Sequence, residues 1–488
     1  MQGVFSGASP RLQRRPVERR GLNLWPVGPV LALAFAVALL VARGVFYTAW
    51  ELLGARGLKP EHRLDSSTLF DLVKLSFGVV AGAGALVALI VAYRRQRVDE
   101  DGALRDATRL HTERFTTAVS QLGDNAPAVQ LGGVHALAGL ADDAPTQALR
   151  QTCIDVLCAY LQLPHTPDPG TDNPAVQEEH HRYLALRTVR HTVLRLIGDH
   201  YRLPADTHGS WQGCNLDLAG ITIDATMDFT GATFTDGHVT FTGATFTGTH
   251  LRFNGATFSG SSVRFNGATF SGHNVDFDHA AFSGGMVDFE GAEFSSGRVS
   301  FDRAAVSGGH VNFYRANFSG GMVRFDGAVL SDGIVNFTFA TVSDGHLDFT
   351  DATLTDGQMA FHNARFSGGH VGFRRAAFSG SQVYFHNAAF SGSIANFDGA
   401  AFSGSPVQFH SATFSDGQVD FRRAIFSGGS VNFYSSNFSG GTVKFEAAEY
   451  SGGDVLFGSV RGDAPSGLVP GAGEQLPPGL VLPDTWMP

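Results

Sequence analysis

Residues 253 to 272 read FNGATFSGSSVRFNGATFSG, with phenylalanine returning after five residues and then after seven. The pattern does not slip: every twelfth residue from Phe229 to Phe457 is phenylalanine. Three columns accompany it. Alanine follows three residues after each of the first nineteen, broken only by Ser436. A second large residue follows five later, Phe234 and Phe246 onward, relaxed to Val306, Leu330, Val342, Leu354 and Tyr450. Ten later comes valine in most repeats, with Leu251, Leu347, Met359 and Ala395 as substitutes.

A helical period of 3.6 would scatter these columns around an axis, and glycine pairs such as Gly284–Gly285 are poor helix material. The pattern instead predicts short strands that bend at Gly, Ser and Asp corners and stack in parallel, like on like, about 4.8 Å apart. A square loop of twelve residues encloses roughly 100 Å², too little for two Phe, one Val and one Ala per layer at protein packing density. Twenty-four residues enclose roughly 400 Å², which favours two repeats per coil, ten coils and a rod about 50 Å long. A flattened twelve-residue coil stays open if some phenylalanines leave the interior.

ATF, ANF and AEF followed by two polar residues resemble the A(D/N)LXX unit of pentapeptide-repeat proteins. Ala232 and Phe234 match its small and large positions, Val239 and Phe241 match less closely, and Cys214 and Leu216 in CNLDLAG lie nearer the ordinary form. The resemblance implies a right-handed quadrilateral β-helix. The spacing departs from it, five then seven instead of five throughout, which leaves the corner geometry open.

The rest of the chain fits a membrane protein. Residues 24–42, LWPVGPVLALAFAVALLVA, extended past Arg43 to Trp50, and residues 75–93, LSFGVVAGAGALVALIVAY, are each long and apolar enough to span a bilayer. A cleaved signal peptide is the competing reading of the first run, but no convincing small-residue cleavage site follows it. Arg11, Arg14, Arg15, Arg19 and Arg20 precede the first span, and YRRQR closes the second, so the positive-inside rule places both termini in the cytoplasm. Gly78, Ala81, Gly82 and Ala85 share one face and would allow close helix approach, between the spans or between protomers.

Amphipathic helices are expected at 105–122, 127–141, 146–163 and 175–202, with a Pro-rich break at 163–174. The divisions are a basic N-terminus 1–23, a transmembrane hairpin 24–98, a helical connector 99–210, the β-helix 211–458 and a disordered Pro/Gly-rich tail 459–488 except where Leu or Trp486 touches the last coil. RFTTAVSQLG, VQLGGVHALAGLA and RQTCIDVLCAYLQLP ahead of Phe-rich repeats make nearly the whole chain similar to membrane-anchored pentapeptide-repeat proteins of actinomycete bacteria.

Chemistry is sparse. No HExxH, GxSxG or CxxC is present, so no catalytic, cofactor-binding or metal-binding residue is assigned, and no cofactor is expected. Cys153, Cys158 and Cys214 read as reduced, buried small residues. His180, His181, His191 and His200 read as solvent-facing residues of a charged helix. His238, His250, His310, His346 and His370 are scattered along one repeat position, and with two repeats per coil His238 and His250 fall on opposite sides, against a metal ladder. Thr240 and Thr242 suggest a flat ice-binding-like array that fades within a few repeats, and RGD at 461–463 reads as coincidence. The net charge of -10 argues against general nucleic-acid binding. The leading functional expectation is a protein-interaction or scaffolding module at the cytoplasmic face of the plasma membrane. Its partners would be the bilayer, an unknown cytoplasmic protein and a second copy through the spans. A DNA-mimicking regulator of an enzyme such as gyrase is the alternative, and an enzyme a remote one.

Overall fold

The computed structural model describes residues 65–164, 168–170 and 177–487, apart from 248, 249, 273, 470 and 472–474, together with isolated positions between 36 and 51. The basic N-terminus and most of the first expected span lie outside the described residues. The chain divides into two compact units, Met1–Ala107 and Thr108–Pro488.

Helix α1, Ser66–Leu122, contributes to both units and joins what the sequence pattern separates, the 75–93 span and the 105–122 connector helix. Nothing between them breaks a helix. Residues 94–104 hold no proline and one glycine, Gly102, worth about 1 kcal/mol against Ala. Side chains bridge the passage: Arg97 Nε donates to the Tyr93 hydroxyl at 3.1 Å and Gln96 Nε2 to Glu100 at 3.1 Å. The segment beginning at Leu69 is the one helix among the described residues long and apolar enough to cross a membrane. Leu75, Phe77, Val80 and Leu89 are each about 70 % exposed, an apolar surface that water would penalise and lipid would not.

Three further helices follow: α2 Pro127–Asp142, α3 Gln147–Gln162 and α4 Gln177–Tyr201. Pro127 opens α2 at a position where its missing N–H is no loss, and the Thr146 hydroxyl caps α3 by accepting from the Leu149 amide. Their apolar stripes meet through Leu137, Ala141, Ile154, Leu157, Val193 and Ile197, all buried. A side chain on Gly133 would strike the α1 backbone at Leu122, which lets α2 and the end of α1 lie close.

From Leu216 the chain winds as a parallel β-solenoid of about eleven turns. Strand partners are 24 residues apart, as in Phe234 against Phe258 and Phe246 against Phe270, which decides for two repeats per turn. The first turn is one residue shorter, since Leu216 pairs with Val239 and Thr222 with Thr245, whereas Met227 pairs with Leu251. In it Leu218, Ile221 and Ile223 occupy the columns of Phe, Ala and Phe, so the solenoid starts before the phenylalanine register does. This start, and the closing passage below, account for more turns than the ten expected.

The core explains the repeat. Phe241, Phe265 and Phe289 stack along the axis at 5.0 and 4.8 Å with ring planes within 7°, and Phe253, Phe277 and Phe301 form a second stack. The two stacks meet edge to face, Phe265 lying 6.5 Å from both Phe253 and Phe277 at nearly right angles. This is the arrangement the ring quadrupole favours. All these phenylalanines, with Val263, Ala256 and Ala268, have no exposed surface.

Each column phenylalanine also opens a corner. Its carbonyl accepts from the alanine amide three residues on, for example Phe253 O from Ala256 N at 3.0 Å, and the residue between, Gly255, has φ +64°. This left-handed third position is the signature of a type II turn. Glycine fills it in several turns, but Arg303, Arg315, Phe339, Asn363, Arg423 and Ala447 adopt it too, with φ between +54° and +59°. None of the non-glycine residues there is β-branched, the class that tolerates it least. Cooperative stacking therefore holds a backbone state that glycine alone adopts freely.

The helices cover the N-terminal end. Gly198 of α4 lies so close to the first turn that a Cβ would approach Asp228 O to 2.7 Å, and Tyr201 packs on Phe229 and Phe234 at 5.7 and 5.6 Å. At the other end the passage expected as a disordered tail is partly built into the rod. Strand Arg461–Gly462 pairs with Asn437–Phe438, strand Leu480–Val481 pairs with Asp454–Leu456, and buried Trp486 packs against Phe438 and Phe457. An open parallel edge and an exposed phenylalanine layer are what these residues cover. Arg461–Gly462–Asp463 belongs to this closure.

Candidate interaction surface

Because the faithful columns are buried, the exterior is written by the residues between them, and each exterior position recurs every 24 residues as a ladder along the rod. The two corners of a turn carry different chemistry. The corner opened by Phe277, Phe301, Phe325, Phe349, Phe373, Phe397 and Phe421 is charged. Arg324 bridges Asp302 at 3.2 Å and Asp326 at 2.9 Å, Arg375 Nε donates to Asp351 at 2.7 Å, Arg422 pairs with Asp420 at 2.6 Å, and Arg423 pairs with Asp398. Burial raises the Asp276 and Asp302 carboxyls, while the Arg375 guanidinium lowers Asp351. Acid is met by arginine along this corner, so it lacks the continuous negative stripe that imitation of duplex DNA requires.

The opposite corner carries Tyr314, Thr338, His362, His386, His410 and Tyr434 just after the column phenylalanines. Tyr314 meets Phe339 edge-on at 5.8 Å beneath Arg315, which lies 5.0 Å from the Tyr314 ring, and His410 stacks on Tyr434 at 5.3 Å. Phe339 and Tyr434 are each close to half exposed. Below these residues runs an amide ladder: Asn336 Nδ2 donates to Asn312 at 3.0 Å, and Asn312 Nδ2 to Asp288 at 2.8 Å. The same acceptors cap the corner amides, as Asn312 does for Tyr314 N at 3.2 Å.

His181 is exposed as expected, but His180, His191 and His200 of α4 are placed differently from the solvent-facing expectation. His191 Nε2 lies 2.8 Å from Asp224 Oδ1, and Arg187 Nε donates to Asp224 Oδ2 at 2.6 Å. Asp224 stands where the first turn is one residue short, and its carboxyl is held well below the usual range by His191 and, against burial, by Arg187. His200 stacks on Trp211 at 4.3 Å and reaches Asp142, which also accepts from Trp211 Nε1 at 2.9 Å. These pairs lock the helical cap to the solenoid. His180 Nδ1 lies 2.7 Å from Asp168, apart from the others.

Cys153, Cys158 and Cys214 are free and buried, and burial pushes the Cys153 and Cys158 thiols up to about 11 and about 12, which leaves them unreactive near neutrality. His238 and His250 lie in different sheets, as expected, but His346 and His370 of one sheet pair directly, with ring centroids 6.1 Å apart. Thr240 and Thr242 bond to each other at 2.8 Å. Among the described residues no group of three or more His, Cys, Asp or Glu is arranged to hold a metal ion. Open space surrounds Gly78 and Gly82. The aromatic and imidazole ladder does not stand out in the sequence; the signal that finds it is the position after each column phenylalanine, read at period 24. No family model, curated protein or solved structure matches this chain.

Proposed function

We propose that this protein is a membrane-tethered interaction or scaffolding module whose solenoid presents its corners to a protein partner at the cytoplasmic face. What carries the reading is the union in one chain of an apolar, exposed helix of membrane-spanning length with a rod whose repeated residues are buried and whose exterior alone is free to vary. The basic flanks support a two-span hairpin with both termini inside and self-association through the Gly78–Gly82 face. The turn pattern and the small and large columns support the right-handed quadrilateral class of pentapeptide-repeat proteins.

The test uses full-length protein in its native membranes with a photo-crosslinking residue at Tyr434 on one corner and at Arg374 on the other. A discrete, stoichiometric adduct at one corner and not the other is expected. Adducts absent from both, at native expression, would sink the scaffold reading. Single cysteines introduced at Ser435 and within residues 52–64, labelled from outside intact cells, test the topology: labelling at Ser435 refutes the cytoplasmic placement.

A further inference from the structure

His362, His386 and His410 occupy the same corner position in three successive turns, and the ring centroids of the first two lie 5.0 Å apart. None of their ring nitrogens hydrogen-bonds to another protein group among the described residues, and all three side chains are partly open to solvent. A borderline divalent cation takes imidazole at about 2.0–2.1 Å, which puts each ring centroid about 3.2 Å from the ion and two rings at a tetrahedral angle about 5.2 Å apart. The His362–His386 pair meets that separation. His386–His410 at 5.8 Å and His346–His370 at 6.1 Å are too wide for it. Tyr384 packs beside both rings of the close pair, 5.2 Å from His362 and 5.3 Å from His386, and its hydroxyl is tied to Gln382 Oε1 at 2.6 Å.

We infer that His362 and His386 form a two-imidazole site for a borderline divalent cation of the zinc, copper or nickel class, with solvent completing the coordination. Imidazole without carboxylate selects this class over magnesium and calcium, which demand oxygen. The turn spacing fixes the backbone positions of both ligands before the ion arrives, which reduces the ordering cost of binding.

Zinc titration of tag-free, chelator-stripped full-length protein in detergent, followed calorimetrically, tests the site. One saturable equivalent is expected, weakened at least about tenfold by His386→Gln and by His362→Gln and changed less than about threefold by His410→Gln or His370→Gln. With copper(II), the paramagnetic resonance spectrum should report two coupled imidazole nitrogens in the parent and one in either single variant of the pair. An unaltered melting profile of both variants separates ligand loss from unfolding. No saturable zinc binding, or binding that survives both single substitutions, overturns the inference, as does equal dependence on His410.

Discussion

Removing one ring from the centre of a stack measures what the 24-residue turn contributes. Phe265 lies between Phe241 at 5.0 Å and Phe289 at 4.8 Å and meets Phe253 and Phe277 edge-on. Phe265→Ala withdraws a benzyl-sized group of about 100 Å³; if about half the void persists, the cavity costs about 1 kcal/mol, and lost transfer adds about 2.5. The sum, about 3–4 kcal/mol, falls on a quasi-one-dimensional array, so it should appear as local opening of adjacent turns. Hydrogen exchange with mass spectrometry on the full chain reads it peptide by peptide. Phe289→Ala, 24 residues on, should couple to Phe265→Ala by about 0.5–1.5 kcal/mol, whereas Phe409→Ala, several turns away, should add independently within about 0.5. Equal coupling to Phe289 and Phe409, or a Phe265→Ala loss below about 1 kcal/mol, would refute the stacked-core account. Phe265→Asp buries an unpaired charge and should unfold the same turns outright.

Ala447→Gly relieves a left-handed alanine and should stabilise the last turns by about 1 kcal/mol, whereas Gly255→Val, at φ +64°, should destabilise by more than that; exchange rates of flanking peptides report both. Gly198→Ala forces α4 away from Asp228, and protection of α4 and of the first turn should fall together while turns beyond Phe301 keep theirs. The cap should also respond to pH. Burial disfavours the charged His200, yet the Asp142 hydrogen bond and the Leu196 carbonyl outweigh it and raise His200 above its ordinary value. A raised group contributes stability present in full below the unfolded value near 6.5 and lost as pH rises through the folded one. Protection of α4 should thus decline as pH rises above about 6.5, and His200→Gln should remove that dependence; a flat profile in the parent contradicts the pairing.

The solenoid was legible because burial imposes an unforgiving period on Phe, Ala and Val; packing volume favoured the larger turn, and the 24-residue strand pairing decided it. The long α1 was less so. Periodicity marks where an apolar face begins and ends, but residues 94–104 lose that signal without losing the helix, which local side-chain pairs sustain. The short first turn was hidden because Leu218, Ile221 and Ile223 satisfy the core while breaking the phenylalanine spelling. The pairs Asp224–His191 and Asp142–His200 were invisible because they join residues far apart in sequence. The imidazole ladder was missed for a different reason: exterior positions carry no repeat, and read at period 12 the histidines at 362, 386 and 410 alternate with Arg374 and Asp398.

The alternation of two unlike corners makes the rod sensitive to parity. Loss or gain of 24 residues removes or adds a whole turn and leaves every later side chain on its own edge. Loss of 12 residues would be equally acceptable to the core, since each repeat supplies the same Phe, Ala and Val, yet it would transpose everything downstream. Charged residues would then continue the aromatic edge and histidines the charged one. Repeat number in such a chain can drift freely in stability terms while only even changes preserve a surface, so unequal exchange between repeats would be filtered by whatever touches the outside and not by folding.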